Sequence, residues 1–198
     1  MARTSFINDN DGFLDLVVAC LGGPNLFYHN NGNSNSWLKV KLEGTASNRS
    51  GIGAKVRVQA TIRGQQMWQM REITGNSGWD GGNPALLAHF GLGDATNVQV
   101  LRVEWPSGTV QELTNLPARQ QLLVTEPVKL KMLRPGELQT QGWNGMTLGL
   151  ECSPDLVTWL PLVTVTNRTA HSLVWTDPDM SSRPSRFYRV RGIDGSRP

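Results

Sequence analysis

The chain has 198 residues, a formal net charge of +3 and 38% hydrophobic residues, enough for one large domain or two small ones with real cores. No window approaches the roughly 18 uncharged apolar residues that span a membrane. The basic residues are scattered and do not form a stripe with interleaved aromatics, as a nucleic-acid footprint would. We therefore expect neither a membrane span nor a nucleic-acid partner.

An acidic turn comes first along the chain, at residues 9–15, which read DNDGFLD. Carboxylates at alternate positions around a glycine converge on one point, and Ca²⁺ takes about 6–8 oxygen ligands. This pattern predicts a calcium loop in which Asp9, Asp11 and Asp15 supply carboxylates and Phe13 supplies a backbone carbonyl. The alternative is a plain turn, because Asp and Asn side chains readily bond their own backbone.

The acidic turn and the segment behind it resemble an FG-GAP or VCBS repeat, which forms a blade of extracellular β-propellers. Residues 22–32, which read GGPNLFYHNNG, resemble the end of such a blade. Loops of that family tend to begin one aspartate earlier, at the position of Ile7, which offers no side-chain oxygen. The resemblance implies a partial repeat over 1–35 whose calcium ligand set is incomplete.

The same resemblance implies where the protein is located and that the chain is part of a longer protein. The first residues lack the apolar stretch of a signal peptide. We nevertheless expect the chain to be a fragment from the end of a longer extracellular or cell-surface protein, so that the rest of the parent propeller is one of its partners.

Alternation of apolar and polar residues with a period of two predicts half-buried strands in the next segment. Strands are predicted over residues 38–43, 55–63, 67–73, 98–105 and 122–124. The phase of the alternation slips between Val98 and Leu101, which indicates either a bulge or a strand that is buried on both faces. A β domain is therefore predicted over 36–126.

Four blocks of this segment resemble the ASPIC/UnbV domain, which follows FG-GAP-type repeats in secreted bacterial proteins and in an animal cartilage protein. The blocks are WLKVKLEG at 37–44, SNRSGIGAKV at 47–56, HFGLGDA at 89–95 and VEWPSG at 103–108. The resemblance implies a β-rich fold and matrix or surface binding, and it carries no catalytic residues. Arg49, inside the second block, is expected to pair with Glu72 or Asp94, or to meet a ligand carboxylate.

A second, smaller β domain is predicted over 130–192. Residues 146–153 alternate strictly, and short strand patterns follow as far as residue 190. The segments SPDLVTW at 153–159 and RFYRV at 186–190 resemble small C-terminal β domains of secreted bacterial proteins, which implies a fibronectin-like sandwich. Cys20 and Cys152 lie in different predicted domains, and we interpret both as small buried side chains.

Taken together, these patterns predict an all-β chain, in which a remnant of a β-propeller blade precedes two antiparallel β-sandwich-like domains. The three histidines fall in separate segments, and neither a zinc-ligand spacing nor a Gly-x-Ser-x-Gly elbow occurs. We therefore expect a non-catalytic extracellular binding or scaffolding module whose partner is an extracellular protein or polysaccharide. A hydrolase accessory domain is a weaker alternative.

A carbohydrate-binding module is the main alternative, because exposed tryptophans offer flat faces to sugar rings. Trp79 and Asp80 are the best candidates, since they lie in a glycine-rich polar loop. Trp68, Trp143 and Trp159 are further candidates. The competing interpretation is that most tryptophans fill the cores of the sandwiches.

Overall fold

The computed structural model describes residues 2–5, 11–20, 22–75, 86–142, 145–168, 172–180 and 186–193. The elements assigned in these ranges are β-strands, which confirms the predicted all-β class. In chain order the strands are β1 (Ala2–Ser5), β2 (Leu16–Cys20), β3 (Leu26–Tyr28), β4 (Ser36–Glu43), β5 (Lys55–Ile62), β6 (Gln65–Glu72), β7 (Leu87–Gly93), β8 (Asn97–Glu104), β9 (Val110–Pro117), β10 (Gln120–Thr125), β11 (Leu130–Arg134), β12 (Glu137–Thr140), β13 (Thr147–Ser153), β14 (Leu160–Thr166), β15 (Leu173–Thr176) and β16 (Phe187–Gly192). Within the described ranges, no helix is long and apolar enough to cross a membrane.

The chain divides into two compact units. Unit 1 comprises Met1–Glu43 and Ser50–Thr125, and unit 2 comprises Gly44–Arg49 and Glu126–Pro198. The short loop at 44–49 thus belongs to unit 2, although the strands on either side of it belong to unit 1.

Unit 1 begins with a small antiparallel sheet of order β1-β2-β3. In its register, Leu16 lies opposite Tyr28 and Val18 lies opposite Leu26. The acidic turn leads directly into β2. This sheet therefore holds one end of the predicted calcium loop on a paired strand.

The rest of unit 1 is a sandwich of two sheets, of order β10-β4-β7 and β6-β5-β8-β9. Side chains alternate between the two faces of a strand, so Leu38 and Val40 of β4 and Val56 and Val58 of β5 all point inward. They join one continuous cluster of buried apolar residues that draws on both sheets. The predicted alternation of these strands is confirmed, and it positions the core.

Two details of unit 1 bear on the predictions. In β8, Val98 and Leu101 are both fully buried although their parities differ, and the register of β8 with β9 continues without a shift. Both side chains belong to the same core cluster, so the parity that faces the core changes between Val98 and Leu101. Strand β10 pairs with β4 in parallel, which differs from the wholly antiparallel sandwich expected. Strands far apart in sequence are free of the hairpin constraint that makes neighbours antiparallel.

Unit 2 contains two antiparallel three-stranded sheets, of order β11-β12-β15 and β14-β13-β16. Strand β13 is central in the second sheet, and its residues Leu148, Leu150 and Cys152 are buried as predicted. Glu151 and Ser153, of the other parity, are buried too, and Glu151 forms ion pairs with Arg189 and Arg191 of β16. Cys152 is a free thiol, as is the half-buried Cys20.

Candidate functional site

The acidic turn is held in shape by a hydrogen bond and a glycine. The backbone N–H of Phe13 donates to Asp11 Oδ1 at 2.8 Å. Gly12 has a φ of +104°, and a Cβ atom there would lie 1.8 Å from Cε2 of the Trp37 ring. A side chain at this position would therefore clash with the indole as well as strain the backbone.

Asp15 is 2% exposed and sits between the turn and the segment after β3. Its Oδ1 accepts the backbone N–H of Asn30 at 2.8 Å and lies 3.0 Å from Nδ1 of His29. Its Oδ2 has no hydrogen-bond partner among the residues that the structure describes. A buried carboxylate oxygen without a partner is costly, so this atom is chemically suited to a cation.

The predicted calcium ligands are only partly brought together. Asp11, Phe13 and Asp15 share the turn, whereas Asp9 lies outside the described residues. In the described part of the chain, no group of three or more His, Cys, Asp or Glu side chains could hold a metal ion. The buried Asp15 Oδ2 fits a hard cation, and the donors that are described form a partial set.

A histidine attaches the acidic turn to the sandwich. Nε2 of His89 lies 3.0 Å from the carbonyl oxygen of Gly12, to which it donates a hydrogen bond. Burial lowers the pKa of His89 below its ordinary value of 6.5, and the nearby cations Lys39 and Arg71 lower it further, although the Gly12 carbonyl opposes the shift. The neutral form of His89 therefore holds the turn through this hydrogen bond.

Lys39 alternates with the apolar residues of β4, a pattern that predicts a solvent-facing side chain. It is instead 1% exposed, and its Nζ lies over the Trp37 ring, 5.1 Å from the centroid. The ring and the acidic turn cover the outer face of β4, since Gly12 packs against the same indole. The alternation within β4 cannot predict that another segment of the chain covers its outer face.

The outward face of the four-stranded sheet presents a large aromatic side chain. Trp68 of β6 is 51% exposed and lies opposite Gln59 of β5. Met70, the next residue on this face, lies opposite Arg57 and is also exposed. Of the other candidate tryptophans, Trp159 is half-buried beneath the guanidinium of Arg189.

Of the other predicted ligand residues, the structure describes only Arg49. Trp79, Asp80 and Trp143 lie outside the described residues. Arg49 is exposed in the loop at 44–49, where its carbonyl accepts the N–H of Gly44 at 3.0 Å. Asp94 accepts the backbone N–H of Arg63 at 2.7 Å and so holds the turn between β5 and β6.

In unit 2, the loop at 44–49 wraps around a carboxylate of the protein itself. Glu126 is 1% exposed, and its Oε2 accepts the backbone N–H groups of Thr45, Ala46 and Ser47 at 2.8, 2.9 and 2.7 Å. The hydroxyl of Ser47 donates to Oε1 at 3.0 Å. Part of the second sequence block therefore has a structural role that the sequence did not reveal.

A second buried polar cluster lies near the end of unit 2. Asp177 Oδ2 is 2.7 Å from Nη1 of Arg186, and both side chains are almost fully buried. The hydroxyl of Tyr188 donates to the same carboxylate at 2.8 Å. Burial, followed by this hydrogen bond to Asp177, raises the pKa of Tyr188 to about 12. The tyrosine therefore stays protonated and acts as a hydrogen-bond donor.

Comparison with known proteins gives one match. Residues 44–131 match the family model described as ASPIC and UnbV. Searches of curated proteins and of solved structures find no match. The matched range spans β5 to β10 together with the loop that wraps Glu126.

Proposed function

The chain carries an ASPIC/UnbV domain, and we propose that it serves as a non-catalytic extracellular binding or scaffolding module. Its partner is an extracellular protein or polysaccharide. The proposal takes the family resemblance as its starting point and the surface of unit 1 as its physical support.

The observation that carries the proposal is a filled sandwich with large apolar side chains on the outward face of an edge strand. Phe90, Leu92 and Leu101 are fully buried in the core, so the interior is occupied by the protein's own side chains. Trp68 and Met70 are exposed on β6. Apolar side chains that cluster on a rigid surface are typical of binding sites.

Two buried carboxylates of unit 2 have structural roles, which also supports a non-catalytic function. Glu126 is bonded to three backbone N–H groups, and Asp177 is bonded to Tyr188 and paired with Arg186. A general acid or base has to reach a substrate proton. These carboxylates instead have their oxygens engaged by neighbouring groups of the same unit.

The test compares binding with turnover. The purified chain is immobilised, and we expect saturable retention of cell-envelope or matrix material, together with background rates on ester, glycoside, peptide and phosphate reporter substrates. The heat-unfolded chain is the control for nonspecific retention. Turnover that rises in proportion to protein concentration, or retention equal to that by the unfolded chain, would contradict the proposal.

We further propose that the acidic turn binds calcium with an incomplete ligand set. Asp15 Oδ2, Asp11 and the carbonyl of Phe13 would hold the ion, with Asp9 as a further ligand. A bound cation would supply a fixed positive charge that links the turn to the segment after β3. The support is the buried oxygen of Asp15, whose other oxygen is already bonded to Asn30.

Calcium titration calorimetry on the chain, with Asp11→Ala and Asp15→Asn variants, tests this site. We expect heat in about the 10⁻⁴–10⁻³ M range typical of extracellular modules, and its loss in both variants. Asp155→Asn is the matched control, because Asp155 also bonds backbone N–H groups in an exposed loop. Absence of heat up to about 10 mM calcium would leave the turn as a plain connector.

A further inference from the structure

An uncharged polar strip surrounds Trp68 on the outward face of the four-stranded sheet. Residues directly opposite in an antiparallel pair share a face, so Trp68 lies beside Gln59, and Gln66 lies beside Thr61. The Thr61 hydroxyl in turn accepts a hydrogen bond from Gln99 Nε2 at 2.7 Å. We call these five residues the Trp68 strip. It combines an exposed indole with amide and hydroxyl groups.

The charged groups next to the strip neutralise one another. Glu104 Oε1 lies 3.1 Å from Nε of Arg57 and 3.2 Å from Nε of Arg102. Arg102 also contacts Glu112 at 2.8 Å. The network contains two cations and two anions, so this face offers no excess charge to an acidic or a basic ligand. The complementary ligand is neutral.

The strip is also held rigid. Strand β6 pairs with β5 over its full length, from Gln65 to Glu72. On the inward side of β6, Gln69 donates to the carbonyl of Gly91 at 2.7 Å, and the guanidinium of Arg71 lies over the Phe90 ring. These contacts fix β6 to β7 of the other sheet. A surface held in this way loses little entropy when a ligand binds.

We infer that the Trp68 strip is a subsite for a neutral polysaccharide. The apolar face of one sugar ring stacks on the Trp68 indole, and its hydroxyl groups exchange hydrogen bonds with the side-chain amides of Gln59 and Gln66. This inference rests on the proposed binding function and names its ligand class. It places the subsite on β6.

The experiment is affinity electrophoresis in gels that contain one soluble neutral polysaccharide each: xyloglucan, galactomannan or mixed-linkage β-glucan. We expect at least one gel to retard the wild-type chain. Trp68→Ala should weaken that interaction about tenfold or more, and Trp68→Phe should retain most of it, because the ring face is kept. Gln59→Leu should weaken it less than Trp68→Ala.

Phe27→Ala is the matched control, since Phe27 is 56% exposed on the first sheet of unit 1, away from the strip. It should migrate like the wild type. Three outcomes would overturn the inference: no retardation in any neutral gel, equal retardation of Trp68→Ala and wild type, or retardation only by a polyanion such as alginate. Self-association that Trp68→Ala abolishes would instead identify a second copy as the occupant.

The two proposals fail in different ways. If the wild-type chain retains envelope or matrix material and Trp68→Ala does so equally well, the binding function stands and the subsite is wrong. If the wild-type chain retains none of that material and enters every polysaccharide gel freely, both are wrong. Circular dichroism of each variant confirms that the fold is intact.

Discussion

Units 1 and 2 are both built from β-strands, but their interiors are held together by different chemistry. The interior of unit 1 is a continuous cluster of aliphatic and aromatic side chains, with Phe90, Leu38 and Leu101 fully buried. Unit 2 buries fewer apolar side chains among its described residues, and its buried carboxylates Glu126 and Asp177 are bonded within the unit. The buried charged residues of unit 1, Asp15 and Lys39, are not part of its apolar cluster. A small domain buries a smaller fraction of its surface, so bonded charges take a larger part in defining its fold.

The comparison predicts that the largest loss of stability comes from unit 1. Phe90→Ala removes a fully buried ring and should lower the free energy of unfolding by about 4 kcal/mol, because a cavity adds to the lost transfer energy. Urea unfolding followed by circular dichroism measures it. Phe27→Ala, at an exposed position, should cost less than about 0.5 kcal/mol. Equal losses in the two variants would show that the core is not the source of stability.

In unit 2, removal of a buried charge should lower the free energy of unfolding almost as much as removal of a core ring does in unit 1. Asp177→Asn keeps the side-chain shape but leaves the buried Arg186 without its counter-charge, which should cost about 3 kcal/mol. Differential scanning calorimetry of the chain should show a lower transition temperature for unit 2. The control Glu137→Gln removes a surface pair with Arg134 and should cost less than about 1 kcal/mol.

The wrapped carboxylate should have a smaller and more local effect. Glu126→Gln weakens three hydrogen bonds to one oxygen and should cost about 2 kcal/mol, because bonds to an ionised acceptor are the stronger ones. Hydrogen exchange should show faster exchange at the amides of Thr45, Ala46 and Ser47. Unchanged protection there would mean that the backbone alone shapes the loop.

The smallest expected effect is a difference between the two units in the pH range over which they lose stability. The pKa of His89 is lowered from 6.5 in folded unit 1, so the unfolded chain takes up a proton first as the pH falls. Stability from His89 is therefore complete above pH 6.5 and is lost on acidification toward its folded pKa. Burial is the main cause of the lowered pKa; the Gly12 carbonyl opposes it, and the nearby cations Lys39 and Arg71 add to it.

Unit 2 should respond only at lower pH. Hydrogen bonds from the backbone N–H groups of Thr158 and Val157 hold the pKa of Asp155 at about 2, against an ordinary 3.8. Stability from Asp155 is present above pH 3.8 and is lost as the pH falls toward 2. As the pH is lowered, thermal unfolding should therefore show a loss of stability in unit 1 before the loss that comes from this loop of unit 2. His89→Gln should remove the first of the two losses.

Period-two alternation in the sequence predicted the positions of many strands along the chain. The buried faces of β4, β5 and β13 follow the apolar positions of one parity, as at Leu38, Val56 and Leu148. The predicted strand over 55–63 ends one residue early in the structure, because Arg63 and Gly64 take the positive φ values of a two-residue hairpin turn. These features are local, so a few neighbouring residues are enough to specify them.

The candidate site was less predictable. The polar, glycine-rich loop favours Trp79 and Asp80, which lie outside the described residues, whereas the exposed tryptophan among the described residues is Trp68, inside a strand. Alternation places Trp68 on the face opposite the core. That this face is open at β6 is shown only by the structure, in the exposure of Trp68 and Met70.

The sequence by itself determined the all-β class, the positions of many strands along the chain, the acidic turn and the family that residues 44–131 match. Each depends on residues close together in the chain or on blocks of recognisable spacing. The tertiary structure decided the burial of Lys39 beside Trp37, the parallel pairing of β10 with β4 and the wrapping of Glu126 by residues 45–47. Each of these contacts joins segments whose pairing depends on how the strands assemble, and no local pattern encodes that assembly.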